Sequence, residues 1–180
     1  MARTLLIVDV QNDYFEGGAM PLVGADRAVA AAEGVLASFR QAGDPVVHVQ
    51  HIWDDPEATF MRPGTRGVDI HDAVRPLSDE AVVTKADPNA FFGTGLEQLL
   101  GELATQELVV LGMMTSMCVD STVRAAAELG FDVTLVHDAC AAPDLTFEGE
   151  TVGGAAVHAA FVAALGDGFA TVRPSRDVLA

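Results

Sequence analysis

The feature that most constrains this chain is a repeated alternation of short aliphatic runs with longer stretches of helical periodicity. Thr4–Val10, Pro45–Ile52, Ala81–Lys85, Glu107–Gly112, Phe131–His137 and Phe169–Val172 read as strands. Asp26–Ala42, Gly95–Leu103, Met117–Leu129 and Glu148–Leu165 read as helices. In the first helix Asp26 is the expected N-cap, Val29, Leu36 and Phe39 form the apolar stripe, and Gly43 is the stop. Strands this apolar need cover on both faces, which requires a mostly parallel sheet between helical layers. Right-handed crossovers then give an open three-layer α/β/α fold of Rossmann-like type. The 180 residues show no repeat, low-complexity tract or linker, so a single domain over 1–180 is expected.

Composition narrows the partners. Ten Lys and Arg against 26 Asp and Glu give a formal charge of −16. Such a surface repels phosphate backbones and anionic membranes, which excludes nucleic acid and membrane as expected partners. The apolar run from Leu5 to Val8 is cut by Asp9, too short for an export signal or a span. Two cysteines, Cys118 and Cys140, make no disulfide framework, and a cytoplasmic location is the expectation.

In an open parallel sheet, ligands bind beyond the carboxyl ends of the strands. Asp9 closes the first run, where partial desolvation suits a general base, although Asp also caps turns at strand ends. Lys85 closes the third run; alone it reads as a solvated charge, but two strands away it is within reach of Asp9. Cys118 lies where the fourth strand passes into a helix, and unpaired N–H groups there are expected to lower a thiol pKa and to receive an oxyanion. The other reading of Cys118 is a buried, inert helix cysteine. Cys140 reads as structural or pocket-lining, and His158 as half-buried packing. His48 and His51, three apart in one strand, face opposite sides of the sheet and do not suit one metal. The irregular stretch Trp53–Ser78 is long enough to suggest a functional loop.

The ordered set resembles a known family. Asp9 in the string Asp9-x-Gln11-Asn12-Asp13, Lys85 near the middle, and Gly112-x-x-Thr115-x-x-Cys118 at a strand-to-helix turn are similar to the isochorismatase-like cysteine hydrolases. The resemblance implies a six-stranded sheet, Asp9, Lys85 and Cys118 as catalytic residues, and a cis peptide between Met113 and Met114. It further implies an oxyanion hole from the Met114 and Cys118 N–H groups and no cofactor. Nicotinamidases of that family carry an Asp-x-His metal pair after the second strand. His51 and Trp53 stand at the matching positions, and an indole cannot ligate, so no metal is expected.

The activity so implied is hydrolysis of a non-peptide C–N bond, in an amide, ureide or lactam, through a thioester acyl-enzyme. The alternatives are a vinyl-ether hydrolase, as in true isochorismatases, which lack the cysteine, and a redox-sensing thiol protein. A flavin- or nucleotide-binding module is disfavoured because no Gly-x-Gly-x-x-Gly or P-loop follows the first strand. Tyr14, Phe15, Trp53, Phe60 and Phe92 are the expected walls of a small-molecule pocket, and Arg62 and Arg66 are available to clamp a carboxylate. The resemblance also implies a homo-oligomer, dimer or tetramer, with the Ala/Gly-rich stretch Val152–Leu165 free to pack against a neighbour.

Overall fold

A computed structural model describes residues 2–179. Six strands, β1 (Arg3–Val8), β2 (Val46–His51), β3 (Ala81–Lys85), β4 (Glu107–Met113), β5 (Asp132–Ala141) and β8 (Thr171–Arg173), form one sheet in the order β3-β2-β1-β4-β5-β8. Every pairing is parallel. The expected α/β/α architecture is therefore the observed one.

Side chains alternate across β1 and divide the core in two. Leu5 and Ile7 point into the layer made by helix α1 (Ala25–Ala42), together with Val29, Leu36 and Phe39. Leu6 and Val8 point into the opposite layer, beside Leu96 and Leu100 of α2 (Leu96–Glu102), Val123 and Ala126 of α3 (Asp120–Glu128), and Leu165 of α4 (Gly154–Gly166). Both faces of β1 are dry, which is why its sequence reads as one unbroken apolar run. Each large aliphatic or aromatic side chain so buried contributes roughly 1.5–3 kcal/mol.

Several boundaries differ from the sequence reading. Helix α1 starts at Ala25 behind Gly24 at φ 81°, so Asp26 is not the cap but sits in the first turn, where its charge suits the helix dipole. Gly43 does stop the helix, at φ 73°, with its N–H on the Arg40 and Phe39 carbonyls. Strand β5 runs on to Ala141, past a register shift opposite Val110–Gly112, so Cys140 lies inside the sheet paired with Gly112. The expected start of the last helix is instead a hairpin of β6 (Leu145–Phe147) and β7 (Glu150–Val152), turning at Glu148 (φ 50°) and Gly149 (φ 84°). Helix α4 begins only at Gly154.

Glu80 ties the two edges of the α1 layer together just before β3. Its carboxylate accepts from Arg40 Nε at 2.7 Å and Nη2 at 2.8 Å, bonds His48 Nε2 at 2.9 Å, and accepts from Leu77 N at 2.9 Å. Burial alone would raise this carboxyl, but the Arg40, Leu77 and His48 bonds together bring it down to about 2. A depressed acid stabilises the fold above its ordinary value near 4.5 and loses that contribution as pH falls toward 2. Glu80→Gln should therefore cost about 2 kcal/mol at pH 7, with the deficit shrinking steadily below pH 4.5; thermal melts across pH check this.

Candidate active site

The sheet order reverses at β1, with β2 on one side and β4 on the other, so a crevice opens at the carboxyl ends of β1 and β4. Asp9 leaves β1 at φ 50°, a left-handed conformation that Asp tolerates better than most residues. Gly112 is its counterpart on β4. It pairs with Val8 and has φ 134°, and a Cβ there would lie 1.9 Å from the Val8 carbonyl oxygen. Only glycine lets the two strand ends come this close. The Met113–Met114 peptide that follows is cis.

Beyond it the chain forms a wide turn, Thr115–Val119, in which the Met114 carbonyl accepts both the Met117 and the Val119 N–H at 3.1 Å. Cys118 belongs to this turn and precedes α3, not to the first turn of the helix itself. Met114 packs in the α1 layer and Cys118 in the other, so the turn carries the chain across the end of the sheet.

Lys85, the only lysine in the chain, comes from β3, two strands from β1. It is not a solvated charge: its side chain is 0% exposed, as is that of Asp9. Lys85 Nζ lies 2.7 Å from Asp9 Oδ2 and 3.3 Å from Cys118 Sγ. The carboxylate, the ammonium and the sulfur from three distant stretches thus meet at one rim of the sheet.

The electrostatics are those of a closed site. Burial pushes Asp9 above the ordinary aspartate value, and the Lys85 charge only partly offsets it. Cys118 is pushed up to about 12, first by burial and then by the Asp9 charge, with Lys85 pulling the other way. The direction is opposite to the lowering expected from a helix N-terminus: Cys118 is 4% exposed, and its desolvation raises the thiol.

The aromatic candidates divide. Tyr14 is buried, and its phenol is held well above the usual range by burial and then by the charges of Cys118, Asp9 and Asp13. Its ring is 6.2 Å from Phe60, which in turn meets Trp53 edge-on at 5.3 Å. Phe15 instead stacks on His71 at 4.1 Å and lines a separate cavity of about 330 Å³ with Asn12, Glu16 and Arg66. Phe92 is 65% exposed on the turn after β3. Phe15 shares the α1-side core cluster with Tyr14, Phe60 and Trp53, whereas no described contact joins Phe92 to them.

The string after Asp9 serves to fold the long loop over the site. The Gln11 amide accepts from His51 N at 2.8 Å and donates to the His51 and Val68 carbonyls at 2.9 and 2.6 Å. Asp13 accepts from Met61 N at 2.6 Å and Ala19 N at 3.0 Å, against Gly67, where a Cβ would lie 2.0 Å from Asp13 Oδ1. The sequence reading quoted this string only as a resemblance. Its polar residues in an aliphatic context were the available signal for buried, loop-holding side chains.

His51, which the sequence offers only as one of two histidines unsuited to a shared metal and as a departed metal position, has its Nδ1 2.9 Å from Lys85 Nζ. Among the described residues, Asp9, His51 and Cys118 offer ligand atoms within 4.8 Å of one another, as a metal site would. The Lys85 ammonium is ion-paired with Asp9, hydrogen-bonds His51 and Cys118, and supplies the positive charge there. With Trp53 at the second family position, these residues do not fit the nicotinamidase metal pair.

Comparison with known proteins places the chain in a family. Residues 3–174 match the Isochorismatase domain model. The uncharacterized isochorismatase family protein YddQ of Bacillus subtilis (strain 168) is 46% identical over 179 residues, 99% of each chain. Streptothricin hydrolase of Streptomyces noursei is 40% identical over 171 residues, covering 92% of this chain and 60% of that one. The solved structure of an isochorismatase-hydrolase relative from Oleispira antarctica superposes with a TM-score of 0.95 at 45% identity, over 99% of this chain and 96% of that one. N-carbamoylsarcosine amidase from Thermoplasma acidophilum superposes with a TM-score of 0.82 at 27% identity, over 97% of each.

Proposed function

The chain belongs to the isochorismatase family, and from that premise we propose that it is a cysteine-dependent amidohydrolase cleaving a non-peptide C–N bond of a small molecule. The observation that carries this reading is the contact of Lys85 Nζ with both Asp9 Oδ2 (2.7 Å) and Cys118 Sγ (3.3 Å) in a buried site. The names of two relatives, streptothricin hydrolase and N-carbamoylsarcosine amidase, support the bond type.

Asp9 takes the Cys118 proton as the sulfur attacks the carbonyl carbon, and Lys85 stabilises the negative charge that moves from oxygen to sulfur. The Met114 and Cys118 N–H groups receive the oxyanion, each donor contributing about 3–4 kcal/mol. Asp9 returns the proton to the leaving nitrogen, the C–N bond breaks, and the acyl group stays on sulfur as a thioester. A water then attacks the thioester, Asp9 takes its proton, and the acid leaves as that proton returns to sulfur. Because the resting thiol is pushed up to about 12, attack depends on the base and not on a standing thiolate.

The Tyr14–Phe60–Trp53 group supplies an apolar wall on the trio's side and suits a small, flat or apolar substrate. Both cysteines are free thiols, which fits a reducing, cytoplasmic setting. No helix of the described residues is long and apolar enough to cross a membrane. A homo-oligomer is supported by the exposed Leu145, Phe147 and Val152 of the hairpin beside the alanine-rich α4.

A panel of small amides, ureides and lactams, scored for release of ammonia or amine, tests the reading; no cleavage of any C–N bond, with vinyl-ether hydrolysis in its place, would overturn it. The pH profile tests the base. Asp9 must be ionised and its pKa is raised, so kcat/KM should fall on the acid side well before the ordinary aspartate value of 3.8. A rate that stays level down to that value contradicts the role.

A further inference from the structure

Resting on the reading of Lys85 as the site's cation, we propose that His51 is a further positioning residue: the lone pair of its Nδ1 holds the Lys85 ammonium in the gap between Asp9 and Cys118. An ammonium has three hydrogens and nothing to accept with. Four acceptors surround this one: Asp9 Oδ2 at 2.7 Å, His51 Nδ1 at 2.9 Å, the Asp87 carbonyl at 3.0 Å and Cys118 Sγ at 3.3 Å. The three hydrogens go to His51 Nδ1, the Asp87 carbonyl and Cys118 Sγ, while Asp9 Oδ2, although nearest, is an ion-pair contact outside hydrogen-bond geometry. Sulfur, the farthest and weakest acceptor, receives its hydrogen only while the ammonium is held in this orientation.

Asp9, the ion-pair partner, and Cys118 are the reacting groups and change charge during the cycle. The Asp87 carbonyl lies two residues after Lys85 and moves with it. His51 is the neutral leg anchored elsewhere: it is the register partner of Lys85 on β2, and Gln11 pins its backbone N–H and carbonyl at 2.8 and 2.9 Å. Since Nδ1 must accept, the ring proton sits on Nε2. Burial and the neighbouring Lys85 charge hold the ring's pKa down to about 4, so it stays neutral. Without this leg the four-carbon lysine stem follows Asp9 alone, and the ammonium drifts from the sulfur as Asp9 takes up the proton.

Alkylation of Cys118 by iodoacetamide at fixed pH, with the modified residue identified by peptide mass, tests this without any substrate. His51→Phe and His51→Leu remove the lone pair, and His51→Asn places an amide oxygen near the Nδ1 position. Phe and Leu should slow alkylation at least about tenfold, the size of a lost charge-assisted hydrogen bond, while Asn stays within about threefold of the parent. If the Phe ring overpacks and the protein does not fold, the Asn and Leu pair carries the comparison. With a cleaved amide in hand, Leu should lower kcat and leave KM nearly unchanged. Parent-like rates in both Phe and Leu, or an Asn variant as slow as they are, overturn the inference. Lys85→Met separates the readings: if it slows alkylation and the His51 variants do not, only the role of His51 falls. If neither slows it, the role of Lys85 falls as well.

Discussion

An alanine at position 118 should leave a folded protein whose kcat is lower by at least about 10⁴-fold. In the proposed mechanism the sulfur carries the acyl intermediate, and Asp9 and Lys85 act on it. The structural cost is small, because Cys118 is a short side chain in a large aliphatic cluster and its loss leaves a cavity worth about 1 kcal/mol. Melting curves separate the two effects. A Cys118→Ala enzyme at full activity would instead favour acid catalysis from Asp9, the vinyl-ether reading. A redox-sensing role fits this sulfur poorly: sensor thiols are exposed and acidic, whereas Cys118 is 4% exposed and pushed up to about 12.

Gly112→Ala should be the most damaging substitution for the fold among those that leave the trio itself intact. The added Cβ would lie 1.9 Å from the Val8 carbonyl oxygen and 2.8 Å from the Val8 nitrogen, and the backbone at φ 134° is one that L side chains rarely adopt. Both obstacles are backbone in the middle of the sheet, so no rotamer change relieves them. The cost should be at least about 4 kcal/mol, which for a chain of this length lowers Tm by on the order of 10 °C. Activity should fall further than stability, because forcing β4 from β1 separates Asp9 from the Met114–Cys118 turn. An alanine variant that melts with the parent would show that the strand ends need not approach so closely.

Much of this site was legible in the sequence for one reason. In a parallel sheet every strand delivers its last residue to the same rim, so Asp9 and Lys85 at the ends of aliphatic runs and Cys118 just past a third had to be near one another. What strand ends do not reveal is solvation. The position of Cys118 before a helix suggested an acidic thiol; its burial, which reverses the sign, depends on α3 and α4 closing over it. His51 shows a similar limit: alternation gave the face of β2 it occupies, but its bond to Lys85 depends on the β2–β3 register. The hairpin at Leu145–Val152 was legible and overlooked. Glu148-Gly149 between Leu-Thr-Phe and Glu-Thr-Val is a two-residue turn signal, masked by the alanine-rich helix that follows.

The covalent step is the central claim. The protein, mixed with an amide it cleaves, quenched in acid within a turnover and weighed intact, tests it most directly. The account predicts a transient mass gain equal to the substrate's acyl group, mapped to the peptide bearing Cys118 and absent in Cys118→Ala. Turnover at the full rate with no adduct on that peptide, or with the adduct on Cys140, would contradict it.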